Sequence, residues 1–380
     1  MKLNYWIILG CVLGLVACGG GGGSSYGGGS GGGSGSGGGG SSGSVQALNL
    51  APAGAHFNGI TSLAVDGGGN VWVANSDGSV SELPAGNYGA GARNFPAPSP
   101  GLNGPSDIAV DGDGNVWVTI PISNSAAFSG VIELAAAQSY KQIQYPPSSA
   151  SPAATNLDDP VGIAVDSVNN IWVANYAGNS LTELVAANSY APSYFDSATA
   201  DFYQPFSVAV GTDGTVSAAN QGGDSISELP AGNYGAGQNF SQQNFAIGTG
   251  GETNPTVAVD NAGNVWIANG DSPANANIIE LVASNGYQVK TWNPAGQTYG
   301  CAYALAVDNQ GNVWVANYCN SSITEFVAGN GYAATNFAPA AADLSGPNSI
   351  AVDSMGNVWV ANSNNSVSEL VQVAMPKTTP

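Results

Sequence analysis

Basic residues are almost missing from this 380-residue chain. It has five Lys and Arg residues against 25 Asp and Glu residues, which gives a formal net charge of -20. A field of this sign repels the phosphate backbone of nucleic acids, so we expect no nucleic-acid partner. With so few cations, ion pairs cannot be a main source of stability, and the surface must consist largely of small polar residues.

Histidine and cysteine are also scarce, which limits the chemistry that the chain can carry. The only histidine is His56, and no nucleophile motif accompanies it, so no Ser-His-Asp triad is indicated. Of the four cysteines, Cys301 and Cys319 are the two that lie beyond the N-terminal leader. A metal site built on this pair would lack histidine partners.

The N-terminal residues predict export and membrane attachment. Residues 1–17 combine Lys2 with an apolar run that is too short to span a bilayer, as in a signal peptide. The sequence Leu-Val-Ala-Cys that ends at Cys18 resembles the lipobox of bacterial lipoproteins, which implies cleavage before Cys18 and lipidation of this residue. Gly19 is not the aspartate that retains lipoproteins in the inner membrane, so the resemblance implies an outer-membrane anchor facing the periplasm or the cell surface. An ordinary secretory signal is the alternative.

A Gly/Ser-rich segment separates the predicted anchor from the rest of the chain. Residues 19–44 are all Gly or Ser except Tyr26. Such a segment has no large side chains to bury. We therefore interpret residues 18–44 as a lipidated cysteine followed by a flexible tether with an r.m.s. span of about 25–30 Å.

The remaining chain is a sevenfold repeat. An Ala-Val pair, usually followed by Asp, recurs at spacings of 45–55 residues, with its Ala at positions 64, 109, 164, 209, 258, 306 and 351. Each unit contains short β-rich runs separated by Gly- and Asn-containing turns. Four antiparallel strands in a unit of this length are typical of a propeller blade. We predict an all-β fold, a seven-bladed β-propeller of four-stranded antiparallel blades over residues 45–373, followed by a C-terminal tail at 374–380.

The ring is expected to close through its N-terminal strand. The seventh unit ends after its third strand, and Asn49 precedes the first repeated Ala by the same 15 residues that separate a fourth strand from the next unit elsewhere. We predict that residues 45–52 complete the C-terminal blade. This pairing removes two free sheet edges.

The repeat resembles the NHL-repeat and streptogramin-lyase-like propellers. The matching text includes "GPSDIAVDGDGNVWV" and "GPNSIAVDSMGNVWVAN", and the resemblance covers about residues 45–373. It implies the propeller fold, whereas the group contains both binding platforms and enzymes. Streptogramin lyases use a histidine base with a magnesium ion, and no histidine accompanies the repeats of this chain.

Several side chains recur once per unit, and we interpret them as structural. Trp occurs in six units and is expected to pack between blades, while Glu occurs in all seven and is expected to form a repeated blade-to-blade hydrogen bond. Unit 4 has Gly211 and Ser217 in place of the repeated Asp and Trp, so blade 4 should be the most loosely packed. The segment from Asp111 to Asn115 resembles the start of a calcium loop, but its six sibling turns indicate a hairpin.

The candidate binding residues follow from a difference between the two ends of the units. The first hairpin has the same length in every unit, whereas the connections at the opposite end vary, and function usually lies on variable loops. Amides and aromatic rings at that end suit uncharged polar ligands. The alternative is that the Asn side chains only cap strand ends. The candidates are Asn75, Thr119, Asn175, Tyr176, Asn220, Asn269, Asn317, Tyr318 and Asn362.

Cys301 and Cys319 are predicted to form a disulfide. Centring the first hairpin of unit 6 on Gln310 places the two cysteines nearly opposite each other on the first two strands. In an oxidising compartment such a pair forms a bridge. Two free thiols are the alternative.

The predicted function is that of a lipid-anchored extracytoplasmic platform that binds a glycan or an envelope protein through the variable loops. The alternative is a metal-dependent lyase or lactonase, for which Asp107, Asp158, Asp159 or Glu252 would have to cluster at the mouth of the channel. A purely structural envelope protein is a third interpretation. We predict no catalytic residue and no metal site, with calcium or magnesium as the alternative cofactors, and we expect a monomer.

Overall fold

The structure, a computed structural model, describes most of the predicted propeller. It covers residues 46–96, 104–122, 128–145, 157–241, 254–269, 277–292 and 301–374. The predicted signal peptide (1–17), the lipidation site Cys18, the tether (18–44) and tail residues 375–380 lie outside the described residues. Within the described part, no helix has the length and apolar character needed to cross a membrane.

Seven antiparallel sheets of four strands each make up the fold. The first strands are β2 (Ile60–Val65), β6 (Ile108–Val110), β10 (Pro160–Val165), β14 (Pro205–Val210), β18 (Thr256–Val259), β22 (Ala302–Val307) and β26 (Pro347–Val352). The second strands are β3 (Val71–Asn75), β7 (Val116–Ile120), β11 (Ile171–Asn175), β15 (Val216–Asn220), β19 (Val265–Asn269), β23 (Val313–Asn317) and β27 (Val358–Asn362). These strands match the repeated "AVD" and "VWVAN" runs of the sequence.

The outer half of each blade is formed by its third and fourth strands. The third strands are β4 (Val80–Leu83), β8 (Gly130–Ala135), β12 (Ser180–Val185), β16 (Ser225–Leu229), β20 (Asn277–Val282), β24 (Ser322–Val327) and β28 (Ser366–Leu370). The fourth strands are β5 (Arg93–Phe95), β9 (Lys141–Tyr145), β13 (Ala191–Phe195), β17 (Gln238–Ser241), β21 (Gln288–Trp292), β25 (Ala333–Phe337) and β1 (Ala47–Leu50). The described helices are short: α1 (Ser197–Ala200) and 3₁₀ turns at Ala53–Ala55, Ala136–Gln138, Ala186–Asn188, Tyr234–Ala236, Ala283–Asn285, Ala328–Asn330 and Ala340–Ala342.

The ring closes as the sequence predicts. The first strand of each blade contacts that of the next blade, and β26 contacts β2. Strand β1 pairs with β28, with Ala47 opposite Leu370 and Leu50 opposite Val367. The N-terminal strand therefore completes blade 7, and the predicted seven-bladed propeller is confirmed.

The two ends of the strands define two faces. The hairpin face carries the turns between first and second strands, at residues 66–70, 111–115, 166–170, 211–215, 260–264, 308–312 and 353–357. The loop face carries the connections between second and third strands and the links from one blade to the next. The described chain begins at the hairpin face, where the carbonyl of Gln46 accepts the N–H of Val371 at 2.9 Å.

A buried aspartate organises the first hairpin of six blades. In blade 3, one carboxylate oxygen of Asp166 accepts the backbone N–H groups of Val168 at 3.0 Å and Asn170 at 2.9 Å. The other oxygen accepts the Asn170 side-chain amide at 2.9 Å and the Trp172 indole N–H at 3.3 Å. Each carboxylate thus fixes a turn and a tryptophan together. The same four bonds are formed by Asp66, Asp111, Asp260, Asp308 and Asp353.

Each repeated tryptophan packs between its own blade and the next. All six of these indoles are fully buried. Trp172 shares an apolar cluster with Val208 and Val216 of blade 4, and its ring centroid lies 4.9 Å from that of Tyr234 in the same blade. The tryptophans therefore join neighbouring blades, as the repeat indicates.

Blade 4 lacks this arrangement. Ser217 replaces the tryptophan, and its buried hydroxyl has no hydrogen-bond partner in the described part of the chain. Phe240 and Tyr287, from blades 4 and 5, approach to 4.9 Å between ring centroids in this region. Blade 4 has therefore lost both the aspartate–indole bond and the indole itself.

We expect tryptophan removal to cost much more stability than serine removal at the equivalent position of blade 4. Trp172→Ala should lower the free energy of unfolding by about 3–5 kcal/mol, because a fully buried indole leaves a cavity between two blades. Ser217→Ala should change it by less than about 1 kcal/mol, since the buried hydroxyl is unpaired. Urea unfolding measures both values. Equal losses in the two variants would contradict this assignment.

The repeated glutamates lie on the third strands, directly opposite the second-strand position of the repeated tryptophan. Most of their described bonds stay within one blade, which corrects the predicted blade-to-blade bond. Glu133 accepts the Tyr145 hydroxyl at 2.9 Å, because the fourth strand places a donor beside the carboxylate. Glu228 is bonded to Tyr287 of the next blade. The other bonds within one blade are Glu82–Arg93, Glu183–Asn170 and Glu280–Trp292.

Burial raises the pKa of two of these glutamates to near neutral pH. Burial, with a smaller contribution from Asp308, raises the pKa of Glu325 to about 7. Burial and the nearby Asp353 raise the pKa of Glu369 to about 7 as well. Both values lie above the ordinary glutamate pKa. The folded protein therefore binds more protons than the unfolded chain between about pH 4.5 and pH 7.

We expect the protein to be more stable at pH 5 than at pH 8. The stabilisation from protonated Glu325 and Glu369 is fully present below the unfolded pKa and is lost as the pH rises through about 7. Thermal melts at the two pH values measure the difference in Tm. A double variant, Glu325→Gln with Glu369→Gln, should show a smaller difference, whereas the Arg93-paired Glu82→Gln should not. A Tm that increases from pH 5 to pH 8 would show the sign to be wrong.

Candidate functional site

The repeated candidates of the loop face are buried. Asn75, Asn175, Asn220, Asn317, Asn362 and Thr119 are fully shielded from solvent, and Asn269 is 5% exposed. Side chains in this state cannot contact a ligand at the surface. The structure therefore corrects the prediction that these seven residues form the binding surface, and it favours the alternative that they close strand ends.

The bonds of these side chains explain their burial. The amide nitrogen of Asn175 donates to the Ser180 hydroxyl at 3.1 Å and the Thr182 hydroxyl at 2.9 Å, which ties β11 to β12. In blade 2, the Thr119 hydroxyl instead donates to the carbonyl of Val161 at 2.6 Å, across to blade 3. These side chains supply additional hydrogen bonds where the backbone ladder of the second strand ends.

The exposed large side chains of the loop face are not repeated. Tyr318 is 39% exposed and directly follows β23. Tyr203 is 53% exposed on the link into blade 4, and Ile122 is 46% exposed after β7. Tyr176 is partly buried, and its ring centroid lies 6.5 Å from that of Phe206 in an edge-to-face arrangement. The loop face therefore presents aromatic groups that differ from blade to blade.

Tyr303 and Tyr318 form an aromatic pair at the start of blade 6. Their ring centroids lie 5.5 Å apart with an angle of 32° between the ring planes. Tyr303 lies on β22, and its hydroxyl accepts the side-chain amide of Asn254, from the start of blade 5, at 3.3 Å. On the other side, a Cβ atom at Gly346 would lie 3.1 Å from Cε2 of Tyr318. The pair thus bridges the loop-face ends of blades 5, 6 and 7, and we call Asn254, Tyr303 and Tyr318 the tyrosine site.

Sequence reasoning found one member of the tyrosine site as a binding candidate. Tyr318 is among the predicted binding residues because it follows a repeated Asn, whereas Tyr303, on the first strand, is not among them. The signal that connects them is the cysteine pair, since Cys301 and Tyr303 are two positions apart and Cys319 follows Tyr318. Asn254 carries no sequence signal, because its contact with Tyr303 depends on how two blades pack.

A disulfide joins the two strand ends that carry the tyrosines. Cys301 and Cys319 are bonded, with their Cα atoms 5.4 Å apart. The backbone N–H of Tyr318 donates to the carbonyl of Cys301 at 3.0 Å. The predicted disulfide is confirmed in the structure, and it lies at the loop-face end of blade 6.

The described part of the loop face carries no Lys or Arg side chain that could pair with an anionic ligand. The described Lys and Arg residues all lie on outer fourth strands: Arg93 on β5, Lys141 on β9 and Lys290 on β21. Asp77 and Asp159 belong to loop-face connections, and burial is the main cause that raises the pKa of Asp159. A ligand that depends on pairing with protein cations therefore finds none on this part of the face.

Two of the acidic residues named for an enzyme site, Asp107 and Asp159, form hydrogen bonds within the fold. Asp107 is partly buried, and desolvation of its carboxyl raises its pKa. Its carboxylate accepts the Ser62 hydroxyl at 2.8 Å and the N–H of Ile163 at 3.1 Å, so it links blades 1, 2 and 3. Asp159 accepts the N–H of Ile122 at 2.7 Å, and Glu252 lies outside the described residues. Among the residues that the structure describes, no three His, Cys, Asp or Glu side chains are arranged to hold a metal ion.

The single histidine lies away from the first strands. His56 follows the 3₁₀ turn Ala53–Ala55, which contacts the outer strands β4 and β5 of blade 1. Its Nε2 atom is 3.8 Å from the carboxylate of Asp77, and its side chain is 65% exposed. His56 therefore does not face the ring of first strands, where the catalytic base of a site at the central channel would lie.

Residues 344–366 match the family model of the NHL repeat. The matched segment contains β26 and β27 of blade 7. The predicted resemblance is confirmed. A search of curated protein sequences finds no match to this chain.

Solved propellers share this fold at low sequence identity. Virginiamycin B lyase from Staphylococcus aureus is 16% identical with a TM-score of 0.66, over 86% of this chain and 98% of the lyase. A catalytically inactive histidine-to-alanine variant of that lyase with quinupristin is 14% identical with a TM-score of 0.67, over 86% and 99% of the two chains. YCF48 bound to a D1 peptide is 12% identical with a TM-score of 0.60, over 87% and 95%. These likenesses establish the fold, which serves both catalysis and binding.

We expect Asp111 to stabilise the blade without calcium. Its carboxylate accepts hydrogen bonds from four protein donors, including the Trp117 indole at 2.9 Å. In Asp111→Asn the side-chain NH₂ group, which is itself a donor, would face some of these donors. The loss should be about 1–3 kcal/mol of unfolding free energy. Urea unfolding in EDTA and in calcium should give the same difference between variant and wild type. A loss that occurs only in calcium would indicate a metal loop.

Proposed function

We propose that this protein is a lipid-anchored, extracytoplasmic propeller whose loop face binds an uncharged glycan. The observation that carries the proposal is the tyrosine site, where an exposed ring contacts a second ring and an amide side chain lies beside them. Sugar rings present apolar C–H faces that stack on aromatic side chains. Their hydroxyl groups need polar partners at the edge.

The charge distribution supports a neutral ligand. The chain has a net charge of -20, and the described basic residues lie on outer strands rather than on the loop face. An anionic polymer would be repelled by this field. For the same reason we propose that nucleic acid is not a partner.

The described propeller begins on the face opposite the tyrosine site. Gln46, where the described chain begins, lies at the hairpin face, next to Val371. We propose that a lipid anchor at Cys18 and a tether at 18–44 precede strand β1 in the chain. We propose that the protein resides in the cell envelope, on the outer membrane.

Binding is favoured over catalysis by the position of His56. The lyase neighbour is inactivated by replacing a histidine, and the only histidine of this chain lies beside the outer strands of blade 1. YCF48, which has the same fold, binds a peptide. An envelope protein is therefore the second candidate partner, and it would use the same exposed face.

We expect Tyr318→Ala to weaken binding of neutral oligosaccharides by about tenfold, or about 1.4 kcal/mol, because it removes the exposed stacking ring. Isothermal titration with chitohexaose, cellohexaose and maltohexaose measures this loss. The loss of affinity is measured with whichever of these three sugars gives a measurable heat of binding to the wild-type protein.

Tyr194→Ala is the matched control for this experiment. Tyr194 is 42% exposed, close to the value for Tyr318, but it lies on the outer strand β13 of blade 3. Its removal should leave the affinity unchanged. Equal losses in both variants, or no binding of any of the three sugars by the wild-type protein, would contradict the glycan proposal. Capture of an envelope protein that depends on Tyr318 would favour the second candidate.

A further inference from the structure

The disulfide of blade 6 is not needed to close its hairpin. Strands β22 and β23 are already paired from Val307–Val313 to Ala302–Asn317. The bond from the Tyr318 N–H to the Cys301 carbonyl, 3.0 Å long, is the last of this ladder. Equivalent bonds of 2.9–3.1 Å form without cysteines in four other blades, between Ser76 and Gly59, Tyr176 and Asp159, Gln221 and Gln204, and Ser363 and Gly346.

The cysteine occupies a backbone position that does not favour it. Cys301 has a φ of 58°, in the left-handed region, and the equivalent residues of blades 1 and 7 are Gly59 and Gly346, with φ values of 65° and 53°. A non-glycine residue in this region costs free energy unless other contacts hold it. Asp159 and Gln204 adopt the same region in blades 3 and 4, with φ values of 57° and 52°, so the left-handed backbone is shared with other blades. The described feature that sets blade 6 apart at this position is the disulfide.

Blade 6 also differs from its siblings in the rings at its strand ends. Tyr303 and Tyr318 contact each other there. In blade 3, Tyr176 takes the place of Tyr318, but Val161 takes the place of Tyr303. The described disulfide and the tyrosine pair thus occur in the same blade, at the same ends of β22 and β23: Cys301 lies two positions before Tyr303, and Cys319 directly follows Tyr318.

We propose that the Cys301–Cys319 disulfide is a positioning element that holds the tyrosine site in its binding geometry, so that ligand binding depends on the oxidised state. This inference rests on the proposed glycan function for its consequence, whereas the positioning itself can be measured without a ligand. Removing the bridge would release Cys301 and Tyr318, which lie beyond the last strand pair Ala302–Asn317, and would loosen the contact of the Tyr318 ring with Tyr303 on β22.

The bridge is open to exchange from one side. Cys301 is 3% exposed, whereas Cys319 lies in an exposed turn. The thiolate of an external dithiol would attack the sulfur of Cys319 and release Cys301 as a thiolate, which takes up a proton. The second thiol of the reagent would then displace Cys319 and close a cyclic disulfide, so the protein gains two electrons and two protons.

Hydrogen exchange tests the positioning step directly. Treatment with dithiothreitol should increase the exchange rate of the Tyr318 amide by about tenfold, since its bond to Cys301 lies beyond the last strand pair. The Tyr176 amide, bonded to Asp159 at 2.9 Å without a cysteine, is the matched control and should not change. Unchanged exchange at Tyr318 after confirmed reduction would overturn the proposal.

A variant without the bridge provides the second measurement. Cys301→Gly with Cys319→Ser should fold with native near-ultraviolet circular dichroism, because glycine is the residue found at this position in blades 1 and 7. It should show the same exchange at Tyr318 as the reduced protein. If it fails to fold, reduced and alkylated wild-type protein replaces it.

Titration with the neutral sugar that the wild-type protein binds separates the two claims. The bridge-free variant should bind about tenfold more weakly, with Tyr318→Ala adding little further loss. Equal affinity with and without the bridge would overturn the proposed dependence on oxidation. Faster exchange at Tyr318 together with no sugar binding by the oxidised protein would refute the glycan function and leave the positioning role standing.

Discussion

The hydrogen bond from a buried aspartate to a tryptophan indole is the interaction on which the propeller depends. It is formed in six blades at 2.9–3.4 Å. The same carboxylate closes the hairpin, and the indole that it holds fills the space between two blades. One side chain therefore couples the turn, the strand register and the contact between blades. Blade 4 shows the consequence of losing it, since Ser217 leaves a buried hydroxyl without a partner among the described residues.

Most of the repeated polar residues are buried in this framework, and their described hydrogen bonds lie within it. The aspartates hold the hairpins, the glutamates bond mainly to donors on their own fourth strands, and the strand-end asparagines tie second strands to third strands. A polar group whose hydrogen bonds are formed inside the protein is not available to bind a ligand. Recognition must therefore come from residues that differ between blades, and the tyrosine site is such a place.

The spacing of the repeat was enough to predict the fold, the closing strand and the disulfide. A constant period fixes the blade, the short seventh unit demands a strand from elsewhere, and strand register places Cys301 opposite Cys319. The role of Asn175 could not be decided in the same way, because an asparagine at a strand end looks alike whether it caps the strand or faces a ligand. The hydroxyls of Ser180 and Thr182 decide it, and they act only after β11 and β12 pair. Contacts between blades, such as Asn254 with Tyr303, depend on the closed ring and leave no pattern in the sequence.

The most direct test is to map which segments of the propeller a bound ligand protects from hydrogen exchange. Hydrogen–deuterium exchange of residues 45–380 would be measured by mass spectrometry with and without a saturating neutral oligosaccharide. We predict protection in segments that contain Tyr303 and Tyr318, at the loop face of blade 6, and no change in the hairpins at 66–70 or 308–312. Protection confined to the hairpin face would contradict the claim that the repeated residues build the frame and the unrepeated ones bind.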